Sequence, residues 1–256
     1  MQSHPIVNVN LTGFGAFQGL KTNPTEIFAR QFVEYLDHKQ FVNPNWSLSS
    51  VHVIPVVPYH SLADLLHIFQ EAECSVPSLD EALNGIAFSM MPETESQNTN
   101  FIYEYHRPQK TPSPVVLFIH MGLYDALTDC VHFETLARNE AEFPIRLGSH
   151  TQAYCGPILP VSSSIPTQFP NLVLPDQIEN VTILPSTDCG TYLCNWLFFH
   201  SLRFSLQQTE KQAFSCFIHV PNEHNLPTTK LNIIICELIN IISAECLRIT
   251  TSSSQA

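Results

Sequence analysis

Five short runs rich in β-branched and other apolar residues alternate with stretches whose apolar residues recur at helical spacing. The strand-like runs are Ile6–Leu11, Ser50–Val57, Val115–Met121, Asn180–Leu184 and Phe214–Val220. The helical stretches are Pro24–Asp37, Leu62–Glu73, Gly190–Leu206 and Thr229–Leu247. Runs this apolar belong to strands covered on both faces, and helices between them carry the chain back for parallel pairing. The expected fold is therefore α/β: a three-layer α/β/α sandwich around a mixed, mainly parallel sheet. The first helix opens with Thr22-Asn-Pro-Thr-Glu26, with proline at an early position that tolerates it, and Ser61 reads as a cap for the second.

With 256 residues, 44% hydrophobic and 13% charged, the chain can fill one large core. We read residues 1–249 as a single α/β domain with long loop-like excursions at about 78–113 and 148–176, and 250–256 as a flexible tail. The first excursion holds the polar tract Glu93–Asn100 with Pro108 and Pro112, and the second holds several prolines and the run Ser162–Ser164. The net charge of −12 speaks against a nucleic-acid partner or an anionic membrane, since phosphate binding requires clustered cations. The most apolar segment, Leu231–Leu247, is interrupted by Glu237, Asn240 and Glu245 and is short for a bilayer, so it reads as a buried C-terminal helix. The chain starts without the basic and apolar pattern of a secretory signal. Its eight scattered cysteines lack a CxxC pair and fit reduced thiols in a cytoplasmic protein.

One of those cysteines stands apart. Cys194 follows Gly190-Thr191, which can open a helix, so it falls near a first turn whose unpaired N–H groups and dipole favour a thiolate. Such a nucleophile needs a base and a group to orient it. His219 ends the run Phe214–Val220, where α/β folds gather their sites, and Glu134 follows the strand at Val115–Met121 after a linker of about a dozen residues. The tract Thr12-Gly-Phe-Gly-Ala-Phe-Gln-Gly19 turns directly after a strand. It has neither the GxGxxG nor the GK[ST] pattern of a phosphate cradle and no lysine, so Phe14 and Phe17 read as walls of an apolar pocket. Neither HExxH nor CxxC occurs, so no metal is expected in catalysis and no cofactor is implied.

In order, these pieces resemble the motifs of pyroglutamyl-peptidase I, or pyrrolidone-carboxylate peptidase, a family of cysteine peptidases. Thr12–Gly19 followed by Asn23-Pro24 is similar to its TGFxxFxG…NP opening. His120-Met-Gly122 with Glu134 and Asn139 is similar to its HxG…E…N block. Cys189-Gly-Thr-Tyr-Leu-Cys-Asn195 resembles its nucleophile motif, and Phe217-Ile-His-Val-Pro221 its histidine motif. The resemblance implies Cys194 as nucleophile, His219 as base and Glu134 as orienting carboxylate. It further implies that Phe14 and Phe17 grip a pyrrolidone ring, that Asn23 lies near the ring amide, and that Tyr192 and Leu193 are on the pocket side of the nucleophile turn. The implied partners are peptides with an N-terminal pyroglutamyl residue, and a homo-oligomer is compatible with the family. Three features depart from the pattern. The Gly122–Glu134 link is one residue longer and lacks glycines, Cys189 replaces an alanine, and an arginine after the glutamate block has no aligned equivalent, Arg146 being close but displaced. Two readings stay open: an active exopeptidase, or a relative that binds pyroglutamyl or other peptide termini without turnover.

Overall fold

The computed structural model describes residues 6–17, 20, 22–39, 43–84, 101–107, 113–147, 150–159 and 163–253, with the backbone alone at 144–147 and 150–154. In chain order the elements are β1 (Val7–Phe14), α1 (Pro24–His38), β2 (Trp46–Ile54), α2 (Pro58–Glu71), α3 (Leu79–Leu83), β3 (Tyr103–His106) and β4 (Val115–Leu123). These are followed by β5 (Cys130–Glu134), β6 (Leu136–Ala137), β7 (Ala141–Leu147), β8 (His150–Gly156), β9 (Ile165–Pro166) and β10 (Gln177–Ile178). The last are β11 (Val181–Ser186), α4 (Leu193–Leu206), β12 (Gln212–Val220) and α5 (Thr228–Ser253).

Eight strands form one mixed sheet in the order β10-β11-β5-β12-β4-β1-β2-β3. Its centre, β12-β4-β1-β2, is parallel throughout. β5 is parallel to β11 but antiparallel to β12, and β3 closes the other edge antiparallel to β2. The expected α/β architecture is the observed one.

Period-two alternation divides the sheet's side chains cleanly between two apolar layers. Val115, Leu117, Ile119 and Met121 of β4, with Val7, Val9 and Leu11 of β1, pack with residues of α1 and α5. Val116, Phe118 and Phe217 join α2 and α4 on the opposite face. That second face also carries a buried polar line. Asn10 accepts a 2.8 Å hydrogen bond from the Ser50 hydroxyl, and Thr12 Oγ1 lies 2.7 Å from His120 Nδ1. His120 Nε2 continues to the Ser201 hydroxyl at 2.7 Å, and Ser201 to that of Ser215 at 2.7 Å. Burial lowers the His120 pKa to about 3, so this imidazole is a neutral strut joining β1, β4, α4 and β12.

Several expectations need correction. α2 starts at Pro58 rather than Leu62, because proline suits the first helical position; its N-cap is Val57, and the Ser61 hydroxyl bonds back to Pro58 O at 2.9 Å instead of capping. α4 starts at Leu193 rather than Gly190, whose φ of +76° lies in the left-handed region and cannot continue into a right-handed helix. The excursion at 78–113 contains α3, with a Ser78–Glu81 capping box, and the edge strand β3; the one at 148–176 contains β8 and β9. α5 runs to Ser253, so most of the expected tail is helical. Gln18, Gly19, the tract 93–100, Pro108, Pro112, Ser162 and the last three residues lie outside the described residues.

Candidate active site

The candidate constellation grows from the face of the sheet shared with α4. On β5, Val131 and Phe133 enter the layer of α1 and α5, which turns Glu134 to the opposite face. On β12 the same alternation sends Ile218 one way and His219 the other. The antiparallel register pairs Phe217 with Glu134 and His132 with His219, so Glu134 sits one diagonal step from the imidazole. Their side chains meet at 2.7 Å, His219 Nδ1 to Glu134 Oε1, with Glu134 fully buried and His219 4% exposed. Glu134 ends a hydrogen-bonded strand, β5, which occupies the last part of the approach from β4.

Cys194 arrives from α4. Tyr192 is the N-cap and Leu193 the first helical residue, so the cysteine occupies the second helical position, half-buried, at an N-terminus without a side-chain cap hydrogen bond among the described residues. Its sulfur lies over Gly122, the β4 residue paired with His219. A methyl carbon at that position would come within 2.8 Å of Cys194 Sγ and 2.8 Å of the Phe217 ring. With Nδ1 engaged by Glu134, the far nitrogen of His219 is left for the thiol.

Electrostatics then favour the charged form of His219. Burial disfavours the imidazolium, but the Cys194 charge, the hydrogen bonds to Cys194 and Glu134, and the Glu134 charge outweigh it and raise the His219 pKa to about 9. The charged imidazole is thereby favoured beside the sulfur. Glu134 Oε2 has no hydrogen-bond partner among the described residues, an unusual state for a buried carboxylate oxygen.

The turn before α4 is held by a polar clasp. Asp188 Oδ1 accepts from Gly190 N at 3.1 Å and from the Arg138 guanidinium at 2.6 Å, and Arg138 also donates to Gly190 O at 3.2 Å. Asn195, the next helical residue after the cysteine, bonds Arg138 N and O at 2.8 Å each and Glu140 O at 2.7 Å.

The residues expected to line a substrate pocket divide. Phe14, Tyr192, Leu193 and Cys194 share the apolar layer of α2 and α4, and Phe14 approaches Phe217 with ring centroids 6.4 Å apart. Phe17 is half-buried in the segment after β1. Asn23 supports that segment: its Oδ1 caps α1 through Thr25 N at 3.0 Å, and its Nδ2 donates to Gly15 O at 3.2 Å. The Arg146 side chain lies outside the described residues. A cleft of about 390 Å³ lined by Asn8, Asn10, Ser113 and Lys211 lies towards the opposite ends of the central strands and includes no member of the constellation.

Three further side chains surround the constellation, of which the chain alone marks only Cys189. The Cys189 thiol lies within 4.8 Å of ligand atoms of both Glu134 and His219. The Tyr124 ring is 5.7 Å from that of His219, and His132 is the cross-strand partner of His219. The available signal was spacing: Tyr124 is two residues past Gly122, and His132 two before Glu134.

The protein is thus a three-layer α/β/α sandwich with a thiol, an imidazole and a carboxylate brought together on one sheet face. Solved structures with a similar fold include pyrrolidone carboxyl peptidases. The enzyme from Thermococcus litoralis is 18% identical with a TM-score of 0.56, covering 94% of this chain and 91% of its own. A variant of the Pyrococcus furiosus enzyme is 19% identical with a TM-score of 0.58, covering 94% and 99%. The Thermus thermophilus enzyme is 18% identical with a TM-score of 0.54, covering 93% and 97%. No family model and no curated protein sequence matches the chain. At such identities the likeness establishes the fold.

Proposed function

We propose that this chain is a divergent pyroglutamyl-peptidase, a cysteine exopeptidase that removes an N-terminal pyroglutamyl residue from peptides. The observation that carries the reading is the buried 2.7 Å His219–Glu134 pair beside Cys194 at the start of α4. The shared fold supports it, as do the ordered motifs at Thr12–Gly19, His120–Gly122, Cys189–Asn195 and Phe217–Pro221.

In this mechanism Cys194, held as thiolate by the protonated His219, attacks the carbonyl joining pyroglutamate to the next residue. First-turn N–H groups of α4 stabilise the oxyanion, a kind of interaction worth roughly 10²–10³ in rate. His219 protonates the leaving amine, then as neutral base activates the water that hydrolyses the thioester. Glu134 orients the imidazole and stabilises its cation. Phe14, Phe17, Tyr192 and Leu193 border the ring pocket, and Asn23 acts at one remove by fixing the segment that carries the two phenylalanines. All eight cysteines are unpaired, which supports a cytoplasmic, reducing location. No helix among the described residues is long and apolar enough to cross a membrane.

The test is hydrolysis of a fluorogenic pyroglutamyl amide under reducing conditions by the wild-type chain and Cys194→Ser. Turnover by the first and none by the second is the expected result. Retention of pyroglutamyl peptides without turnover, from folded protein, would replace the peptidase reading with that of a binding relative.

A further inference from the structure

A second polyfunctional cluster lies away from Cys194. His52 of β2, Glu71 at the end of α2, and Glu104 and His106 of β3 place one ligand atom each so that all lie within 4.8 Å of one another. The β2–β3 register explains the meeting. His52 is directly opposite Glu104, and His106 is two residues further along β3, so the pleat turns all three to one face. There α2 delivers Glu71, whose Oε1 is 3.5 Å from His106 Nε2; His106 Nε2 is also 2.6 Å from Glu104 Oε1. His67, one helical turn earlier, approaches the same Glu71 oxygen at 3.4 Å.

We propose that His52, Glu71, Glu104 and His106 form a binding site for zinc or a similar first-row divalent cation, joining β3 to β2 and α2. Two neutral imidazoles and two carboxylates balance a dication and are the donor types such ions prefer over calcium or magnesium. Tetrahedral bonds of about 2.0–2.2 Å put ligand atoms about 3.3–3.5 Å apart, so closure requires movements of roughly 1 Å. His52 is fully buried on a central strand and gives the site a rigid anchor, while Glu71, Glu104 and His106 are partly exposed and can adjust. The C-terminal end of α2 adds the negative pole of its dipole. Glu71 also lines the 390 Å³ cleft, which offers an entry path.

The site is separate from the peptidase constellation. β4 and β1 lie between β12 and β2, and three strand spacings amount to about 14 Å. It nonetheless has a mechanical connection to the segment after β1. Ile102, immediately before β3, donates its N–H to Val53 O at 2.8 Å and lies against Gly15. A metal holding Glu104 and His106 would hold Ile102, and with it one flank of the segment bearing Phe17.

The test uses the full chain with Cys189→Ala and Cys194→Ala, so that active-site thiols take no part, titrated with Co²⁺ and then Zn²⁺. One equivalent of Co²⁺ should bind without a sulfur-to-metal charge-transfer band. His106→Gln and Glu104→Gln, both at partly exposed positions, should each weaken binding by roughly 100-fold or more. Zn²⁺ should slow hydrogen exchange at the Tyr103 and Tyr105 amides in the parent and not in those variants. If the double-alanine chain fails to fold, the same His106→Gln comparison on the wild-type chain, read by the intensity outside the sulfur band, decides. No binding, binding unchanged by both substitutions, or binding reported by the sulfur band alone would overturn the proposal; in those cases His106 is simply an imidazole bridging two carboxylates.

Discussion

Gly122→Ala tests the geometry at Cys194. The backbone there is not in the left-handed region, so an alanine is conformationally acceptable and only space is at issue. The added carbon would lie 2.8 Å from Cys194 Sγ, and 2.8 and 2.9 Å from two atoms of the Phe217 ring. Ordinary contact distances are about 3.5–4.0 Å, so roughly 1 Å must be recovered. The ring cannot supply it: Phe217 is fully buried and wedged among Phe14, His120, Phe198 and His219. The half-buried sulfur must yield, and it moves off line from the imidazole. A misplacement of about 1 Å in a reacting group costs on the order of 100-fold, or about 2.7 kcal/mol in barrier. The fold should lose only about 1–3 kcal/mol from overpacking. Steady-state hydrolysis of the pyroglutamyl amide, read beside thermal unfolding and the rate of Cys194 alkylation, would show kcat down about 100-fold with KM little changed. A variant with kcat within about threefold of wild type and an unaltered Tm would refute the close packing of sulfur, glycine and ring.

Glu134→Gln removes a charge that helps raise the His219 pKa, so the imidazole should titrate below its wild-type value of about 9. Because that value is raised from 6.5, the wild-type charge is fully present below 6.5 and lost as pH rises through about 9, and kcat/KM should fall across the same limb. NMR titration of the His219 ring and pH–rate profiles check both, with activity of the variant down roughly 10²–10⁴-fold. Asn195→Ala deletes three hydrogen bonds to the backbone of Arg138 and Glu140. It should cost about 3 kcal/mol and lower Tm by roughly 6–12 °C in a thermal melt. Burial first, then the charges of Cys194, Glu134 and Asp188, hold the Cys189 thiol well above its usual pKa. Brief iodoacetamide treatment at pH 7, read by peptide mass spectrometry, should therefore label Cys194 and leave Cys189 intact.

The central strands were legible because β4 and β12 send apolar side chains to a layer on each face and β1 sends Val7, Val9 and Leu11 to one, and that leaves a plain mark in composition. β5 was not. It is five residues long, its only aliphatic or aromatic members are Val131 and Phe133, and its value to the fold lies in pairing with strands distant along the chain. β3 and β8 were hidden similarly, inside segments whose polar and proline content reads as loop. Cys194, His219 and Glu134 could be named from ordered motifs, and the structure brings all three together. The proximity of Cys189, Tyr124 and His132 depends on register and turn geometry, which a linear reading does not contain. Asn23 illustrates a different limit: its place in a motif marks it, but whether its amide serves the cap of α1 or a ligand is decided only by what surrounds it.

The antiparallel pairing of β5 with β12 has a consequence for how such a chain tolerates change. The link from Leu123 to Cys130 is tied down before the ladder begins, by Tyr124 N–H to Val220 O at 2.9 Å, Asn222 to Asp125 at 2.7 Å and Asn225 to Leu127 O at 3.1 Å. An extra residue there alters a surface turn and the closure entropy by a few tenths of a kcal/mol, about the scale for small changes in loop length. Glu134 keeps its place because the strand register, not the length of the approach, sets its distance to His219. One residue gained a few positions later, between Val131 and Phe133, would turn the carboxylate to the far side of the sheet. The length of the approach is therefore a soft variable of this fold, and the frame of the five residues after it a hard one.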